Sequence, residues 1–115
     1  MTPQKRSGII LSFTLPGFHN YPDAPQAVSF LAQPHRHLFH FKVHFSVTHH
    51  NRDLEFFITS AEVKEFITGI FGSPCRFGAR SCEMIAKVVL TKFMKRGCFR
   101  VEVWEDDENG GFVEL

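Results

Sequence analysis

The sequence predicts an α+β protein in which two helices pack on one face of an antiparallel β-sheet. Three observations predict this class: strand-like segments near both ends of the chain, two amphipathic helical segments in its middle, and 43% hydrophobic residues that include 14 phenylalanines. A chain of 115 residues with this composition can bury one core, so we expect residues 1–115 to form a single domain.

Two strands are predicted in the first half of the chain. Residues 8–14, GIILSFT, have a strand's composition, whereas residues 15–26 contain three prolines and a glycine and predict a long loop that carries His19. Residues 34–47, PHRHLFHFKVHFSV, alternate as the second strand, and residues 54–59 predict a third, short one. In the second strand the predicted core face contains Phe39, Phe41, Val43, Phe45 and Val47, and the other face contains Leu38, His40, Lys42, His44 and Ser46.

Two helices are predicted in the middle. Thr59 and Glu62 have capping-box spacing and precede an apolar stripe of Val63, Phe66, Ile67, Ile70 and Phe71. Residues 72–79, GSPCRFGA, predict a loop, and Ser81 predicts the cap of a second helix from Cys82 to about Arg96, closed by Gly97. Residues 98–105 then alternate as a strand, 106–111 predict a hairpin turn, and 112–115 a last short strand.

This arrangement leaves one face of the sheet without a helical layer. The residues expected there on the second strand are too apolar for free solvent and too polar for a core, which predicts an interface between subunits.

Charge and cysteine content limit the possible partners. The chain has 13 basic and 12 acidic side chains, so we expect binding neither to nucleic acid nor to a membrane surface. Three cysteines without a disulfide-like spacing, and an N-terminal apolar run too short for a signal or membrane segment, predict a cytoplasmic protein.

His35 and His37 are candidate metal ligands. Alternate residues of a strand share a face, so the two rings can converge on one ion, and His19 could supply a third nitrogen from the preceding loop. Three neutral imidazoles suit Zn²⁺ and leave a fourth position for water or a substrate. Taken alone, the short motif favours the alternative that all three are surface or interface histidines.

Four segments together resemble the 6-pyruvoyl-tetrahydropterin synthase and 6-carboxy-tetrahydropterin synthase family. They are LSFTLPGFHN, PHRHLFHFKVHFSV, SCEMIAKVVLTKF and FRVEVWEDDENGGFVEL, which follow the family's order over nearly the whole chain. The resemblance implies a tunnelling fold, ββααββ, whose subunits join their sheets into a barrel, usually as a homo-hexamer of two trimers. We therefore expect a hexamer or a trimer.

The resemblance also implies roles for individual residues. His19, His35 and His37 would bind zinc, and Glu105 in the late strand would anchor the ring of a dihydroneopterin triphosphate-like pterin. Three residues at the start of the second helix, Ser81, Cys82 and Glu83, would make further contacts to that ring. Without the resemblance, Glu105 would be read as part of a solvated acidic turn, and Glu83 as a partner of the helix dipole.

The sequence departs from the family at the catalytic residues. Leu31 stands where the family has its catalytic cysteine, and no Asp-His pair occurs between the helices. The catalytic residues are therefore unknown. Cys75 is a weak candidate for a replacement, and an inert loop thiol is the preferred interpretation.

Three functions remain open. The first is a zinc-dependent lyase that makes a 6-pyruvoyl- or 6-carboxy-tetrahydropterin. The second is a catalytically degenerate relative that binds zinc and a pterin without turnover, because loss of a general base commonly costs about 10²- to 10⁴-fold in rate. The third is a barrel-forming oligomer with structural histidines and no metal.

Overall fold

The computed structural model describes residues 6–115, which form one five-stranded sheet with two α-helices. The elements in chain order are β1 (Gly8–His19), β2 (His35–Ser46), α1 (Phe56–Phe71), β3 (Cys75–Gly78), α2 (Cys82–Phe93), β4 (Cys98–Glu105) and β5 (Asn109–Glu114). Short 3-10 helices lie at Gln26–Ala32 and Met94–Arg96. The strand order is β3-β1-β2-β4-β5, antiparallel throughout except where β3 runs parallel to β1. The predicted α+β class is confirmed.

The core lies between the sheet and the two helices. The alternating residues of β2 that were predicted to face the core are fully buried from Phe39 to Phe45. Helix α1 packs against β1 and β3, and α2 packs against β4 and β5. Both helices contribute to one continuous apolar cluster with the sheet, which confirms that they cover the same face.

The first strand is longer than predicted, and the prediction of a loop from residue 15 is wrong. β1 pairs with β2 from Gly8 to His19, through Pro16 and Gly17. Pro16 is tolerated because the pairing of β1 with β3 begins only at Gly17, so β1 has one partner strand along most of its length. His19 is consequently the last residue of a strand.

The predicted strand at residues 54–59 is wrong, because α1 already begins at Phe56. The carboxylate of Glu55 caps this helix by accepting a hydrogen bond from the backbone N–H of Ile58 at 2.7 Å. The capping box at Thr59 and Glu62 is therefore also wrong. Of the predicted apolar stripe, Ile70 is 55% exposed. The aromatic and β-branched residues that suggested a strand lie in the exposed first turn of the helix.

The segment between the helices is a strand rather than a loop. Residues Cys75–Gly78 form β3, which pairs with the end of β1. Both predicted ends of the second helical region are confirmed: the Ser81 hydroxyl caps α2 by accepting from Met84 N at 3.2 Å, and Gly97 ends the region at φ 101°. The final strand begins at Asn109, three residues earlier than predicted.

The sheet face opposite the helices is open. It carries exposed apolar side chains from three strands, including Ile10, Leu38 and Phe112. The oligomer interface predicted for this face stays a prediction.

Within residues 6–115 no helix is long and apolar enough to span a bilayer. Residues 1–5, part of the N-terminal segment used for the cytoplasmic prediction, lie outside the described residues.

Candidate metal centre and adjoining cavity

Three histidines meet where β1 ends and β2 begins. His19 is directly opposite His35 in the antiparallel register, and His37 lies two residues further along β2. One ring nitrogen from each histidine lies within 4.8 Å of the others. The ring centroids are 4.6 Å apart for His19 and His35, and 4.9 Å apart for His35 and His37. The register of two paired strands thus brings together the three residues predicted as ligands.

Hydrogen bonds fix the orientation of all three rings. Each Nδ1 atom faces an oxygen acceptor: the Arg80 carbonyl for His19 (2.9 Å), the Gln33 carbonyl for His35 (2.9 Å) and the Asp106 carboxylate for His37 (2.6 Å). A neutral imidazole that donates from Nδ1 leaves its Nε2 lone pair free. This is the tautomer in which Nε2 can bind a metal, with the second nitrogen held by a neighbouring oxygen.

Two of these Nε2 atoms are buried without a hydrogen-bond partner. They belong to His19 and His37, and the nearest charged atoms are the two carboxylate oxygens of Glu105, at 3.1 Å and 3.5 Å respectively. These distances lie within ion-pair range, but neither contact has hydrogen-bond geometry. Two acceptors that face each other in a buried position are unfavourable unless a cation or a proton lies between them. The donor set therefore fits a bound metal ion.

Burial favours the neutral form of His19. Removal of this ring from water lowers its pKa, and the Arg80 carbonyl and the Glu105 carboxylate oppose the effect without cancelling it. A neutral imidazole is the form that binds a metal.

A cavity of about 570 Å³ opens beside the histidines. Its wall includes His19 and His35, together with four residues predicted to contact a ring: Ser81, Cys82, Glu83 and Glu105. The N-terminus of α2 supplies the first three of these, and the end of β4 supplies Glu105. The structure therefore brings every predicted binding residue to one place, although their role in binding stays a prediction.

The Cys82 thiol contacts the carboxylate of Glu105. Its Sγ atom donates to Glu105 Oε1 at 3.7 Å. Burial, and then the negative charge of Glu105, raise the pKa of Cys82 to about 12. This side chain is a neutral thiol near pH 7.

Leu31, at the family's catalytic position, and Cys75, the weak catalytic candidate, lie in different places. Leu31, from the 3-10 helix Gln26–Ala32, forms part of the cavity wall. Cys75 is in β3 and not in a loop, is 1% exposed, and belongs to the apolar core. Burial raises its pKa to about 11, which makes the thiol a poor nucleophile and supports its interpretation as inert.

Sequence reasoning missed Asp106. This residue follows Glu105 in the acidic run EDDE, which was read as a solvated hairpin turn. The hydrogen bond from His37, followed by that from the backbone of Leu38, lowers the pKa of the Asp106 carboxyl. The one available signal was its position directly after a predicted binding residue. The Arg80 and Gln33 carbonyls left no signal, because backbone groups do not depend on side-chain type.

The fold, but not the sequence, matches a known protein. No protein-family model matches the chain, and no curated protein matches it in sequence. Among solved structures, it is similar to 6-pyruvoyl tetrahydropterin synthase from Caenorhabditis elegans, with a TM-score of 0.65 and 10% sequence identity. The match covers 100% of this chain and 99% of the other. At this identity the likeness shows that the two chains share a fold.

Proposed function

We propose that this protein binds Zn²⁺ through His19, His35 and His37, and a dihydroneopterin triphosphate-like pterin in the adjoining cavity. The observation that carries the proposal is the pair of buried Nε2 atoms without hydrogen bonds, on rings whose Nδ1 atoms are already held by oxygen acceptors. Without a metal ion, these atoms would be compensated only if the rings took up protons that face the Glu105 carboxylate.

The donor set favours zinc over the oxygen-binding ions Ca²⁺ and Mg²⁺. Imidazole nitrogen suits Zn²⁺, whereas Ca²⁺ and Mg²⁺ prefer oxygen ligands. When bound, zinc supplies a Lewis acid that can hold and polarise an oxygen of a ligand. His19, His35 and His37 would hold the ion. Because neutral imidazoles carry no charge, the ion would keep its full positive charge.

The cavity suits a flat, polar heterocycle. Its volume is within the usual range for a small-molecule site, about 300–1,000 Å³. Glu105 and Glu83 place two carboxylates on its wall, and a carboxylate can accept two parallel N–H bonds from an amino-pyrimidinone edge. Because Glu105 also lies against His19 and His37, a ring held by this carboxylate would be next to the metal.

Turnover by the lyase reaction is the second candidate. The likeness in fold to a 6-pyruvoyl tetrahydropterin synthase over the full chain favours it. The cavity wall opposes it, because Leu31 cannot accept a proton and the pKa of Cys82 is raised to about 12. We therefore place binding without turnover first.

We also propose that the protein forms a homo-hexamer of two trimers, or a trimer. Light scattering coupled to size-exclusion chromatography would measure the mass of the oligomer.

Metal analysis of the purified protein tests the proposal directly. We expect about one zinc per chain by plasma mass spectrometry, given one three-histidine site. His19→Ala should abolish zinc binding, whereas His49→Ala should retain it, because His49 is an exposed turn residue. Zinc content below about one atom per three chains would rule out the metal site.

Ligand binding and turnover are measured separately. Neopterin fluorescence should be quenched on titration with the zinc-loaded protein, and Glu105→Gln should weaken this binding. Incubation with dihydroneopterin triphosphate should give neither acetaldehyde nor a pyruvoyl product. Formation of either product would establish the second candidate instead.

A further inference from the structure

We propose that Asp106 is a positioning residue of the metal centre, whose carboxylate holds His37 in the tautomer and orientation needed for metal binding. The proposal rests on the zinc site proposed above. It gives Asp106 a role distinct from that of Glu105, which precedes it in the chain and faces the opposite nitrogen of the same ring.

Both oxygens of Asp106 are engaged by β2. Oδ2 lies 2.6 Å from Nδ1 of His37, and Oδ1 accepts a hydrogen bond from the backbone N–H of Leu38 at 2.8 Å. In return, the backbone N–H of Asp106 donates to the Leu38 carbonyl at 2.9 Å. Three hydrogen bonds thus fix the carboxylate relative to the strand that carries His37.

The backbone at Asp106 has a conformation that aspartate and asparagine tolerate better than most residues. Its φ is +52°, in the left-handed region, and that of Asp107 is +57°. The turn between β4 and β5 therefore reverses within a few residues of Glu105. Because β4 pairs with β2 up to Phe39 opposite Glu105, Asp106 follows beside Leu38, next to His37.

His37 differs from the other two histidines in its acceptor. His19 and His35 donate to neutral backbone carbonyls, whereas His37 donates to a carboxylate. A charged acceptor makes a shorter and stronger hydrogen bond and increases the basicity of the opposite nitrogen. It also adds a negative charge beside a site whose three proposed ligands are neutral. Loss of such a partner typically weakens metal affinity by about 10- to 100-fold.

The test compares Asp106→Asn with Asp107→Asn. Both variants remove one negative charge from the same turn, and asparagine tolerates the left-handed backbone at either position. Asp107 makes no side-chain hydrogen bond or ion pair within the described part of the chain. Competition with a fluorescent chelator should give a zinc dissociation constant about 10- to 100-fold larger for Asp106→Asn. The constant for Asp107→Asn should match that of the wild type.

A second measurement needs no metal, and its decisive result comes from the wild type alone. Nitrogen-15 NMR of the metal-free wild type should show His37 as the Nδ1–H tautomer, and Asp106→Asn should shift it toward the Nε2–H form. An Nε2–H tautomer of His37 in the wild type would overturn the inference. So would equal zinc affinity in the wild type and Asp106→Asn, while the proposed zinc site would stand. A wild type that binds no zinc would overturn both proposals.

Discussion

Phe39 connects the apolar core to the histidine cluster, and its replacement by leucine should weaken both. The ring is 0% exposed. It makes edge contacts with three other rings, at centroid distances of 5.2 Å to His19, 5.7 Å to His37 and 4.8 Å to Phe77. Phe39→Leu keeps an apolar side chain but removes all three ring–ring contacts.

The expected cost follows from these contacts. An aromatic pair contributes about 0.5–1.5 kcal/mol beyond the area that it buries, and the smaller leucine side chain also loses some buried apolar volume. Since the leucine recovers part of the lost packing, we expect the free energy of unfolding to fall by about 1–3 kcal/mol. Two of the lost contacts orient proposed ligands. If about 1 kcal/mol of orientation is lost, the zinc dissociation constant should rise about five-fold.

Phe41→Leu is the matched control. Phe41 is also 0% exposed and lies on the same face of β2, but its described ring contacts are with Phe13 at 5.3 Å and Phe77 at 6.5 Å. Urea unfolding in the presence of a chelator should show a comparable loss of stability in both variants. Chelator competition should show weaker zinc binding only in Phe39→Leu. An equal loss of zinc affinity in both variants would refute the proposed coupling.

Three further predictions concern the cavity, the open sheet face and α2. In Gly111→Ala the new Cβ would lie 2.5 Å from Glu83 Oε1, so the Glu83 carboxylate must move. Because Glu83 lies on the cavity wall, neopterin binding should weaken, whereas zinc affinity should be unchanged. Burial alone would raise the pKa of Glu102, but hydrogen bonds lower it below its ordinary value of 4.5, with donors from His44, Trp104 and Arg100. Ionised Glu102 therefore stabilises the fold at pH values above 4.5, and this stabilisation is lost as the pH falls through the pKa of Glu102 in the folded protein. In urea unfolding, Glu102→Gln should make the free energy of unfolding less dependent on pH in the acid range. Ser81→Ala should lower the unfolding free energy by about 1 kcal/mol through loss of the helix cap, and Ser81→Asp should restore it.

Local patterns were sufficient to predict most of the sheet and α2. The period-two alternation of β2 and the cap at Ser81 each depend on a few neighbouring residues, and both are confirmed. The errors occurred where tertiary pairing determined the structure. The three prolines and the glycine of residues 15–26 predict a loop, although β1 continues through Pro16 with a single partner strand there. Strand β3 exists because the end of β1 offers it a parallel edge.

The candidate site was predictable to the extent that it depends on side-chain type. The three histidines and Glu105 could be selected from the sequence, and the register of β1 with β2 brings the histidines together. The acceptors on their Nδ1 atoms could not be selected. Two of them are backbone carbonyls, and the third, Asp106, lies beside His37, 69 positions earlier, through the antiparallel pairing of β2 with β4.

Binding and catalysis make different demands on this cavity. Binding of a metal requires nitrogens with free lone pairs, as at His19 Nε2, and binding of a polar ring requires carboxylates on the cavity wall, as at Glu105. Proton abstraction requires in addition a base with a pKa near the working pH. Leu31 has no proton acceptor, and burial, followed by the negative charge of Glu105, raises the pKa of Cys82 to about 12. Neither Leu31 nor Cys82 thus supplies a base with such a pKa, so affinity without turnover is the more consistent expectation.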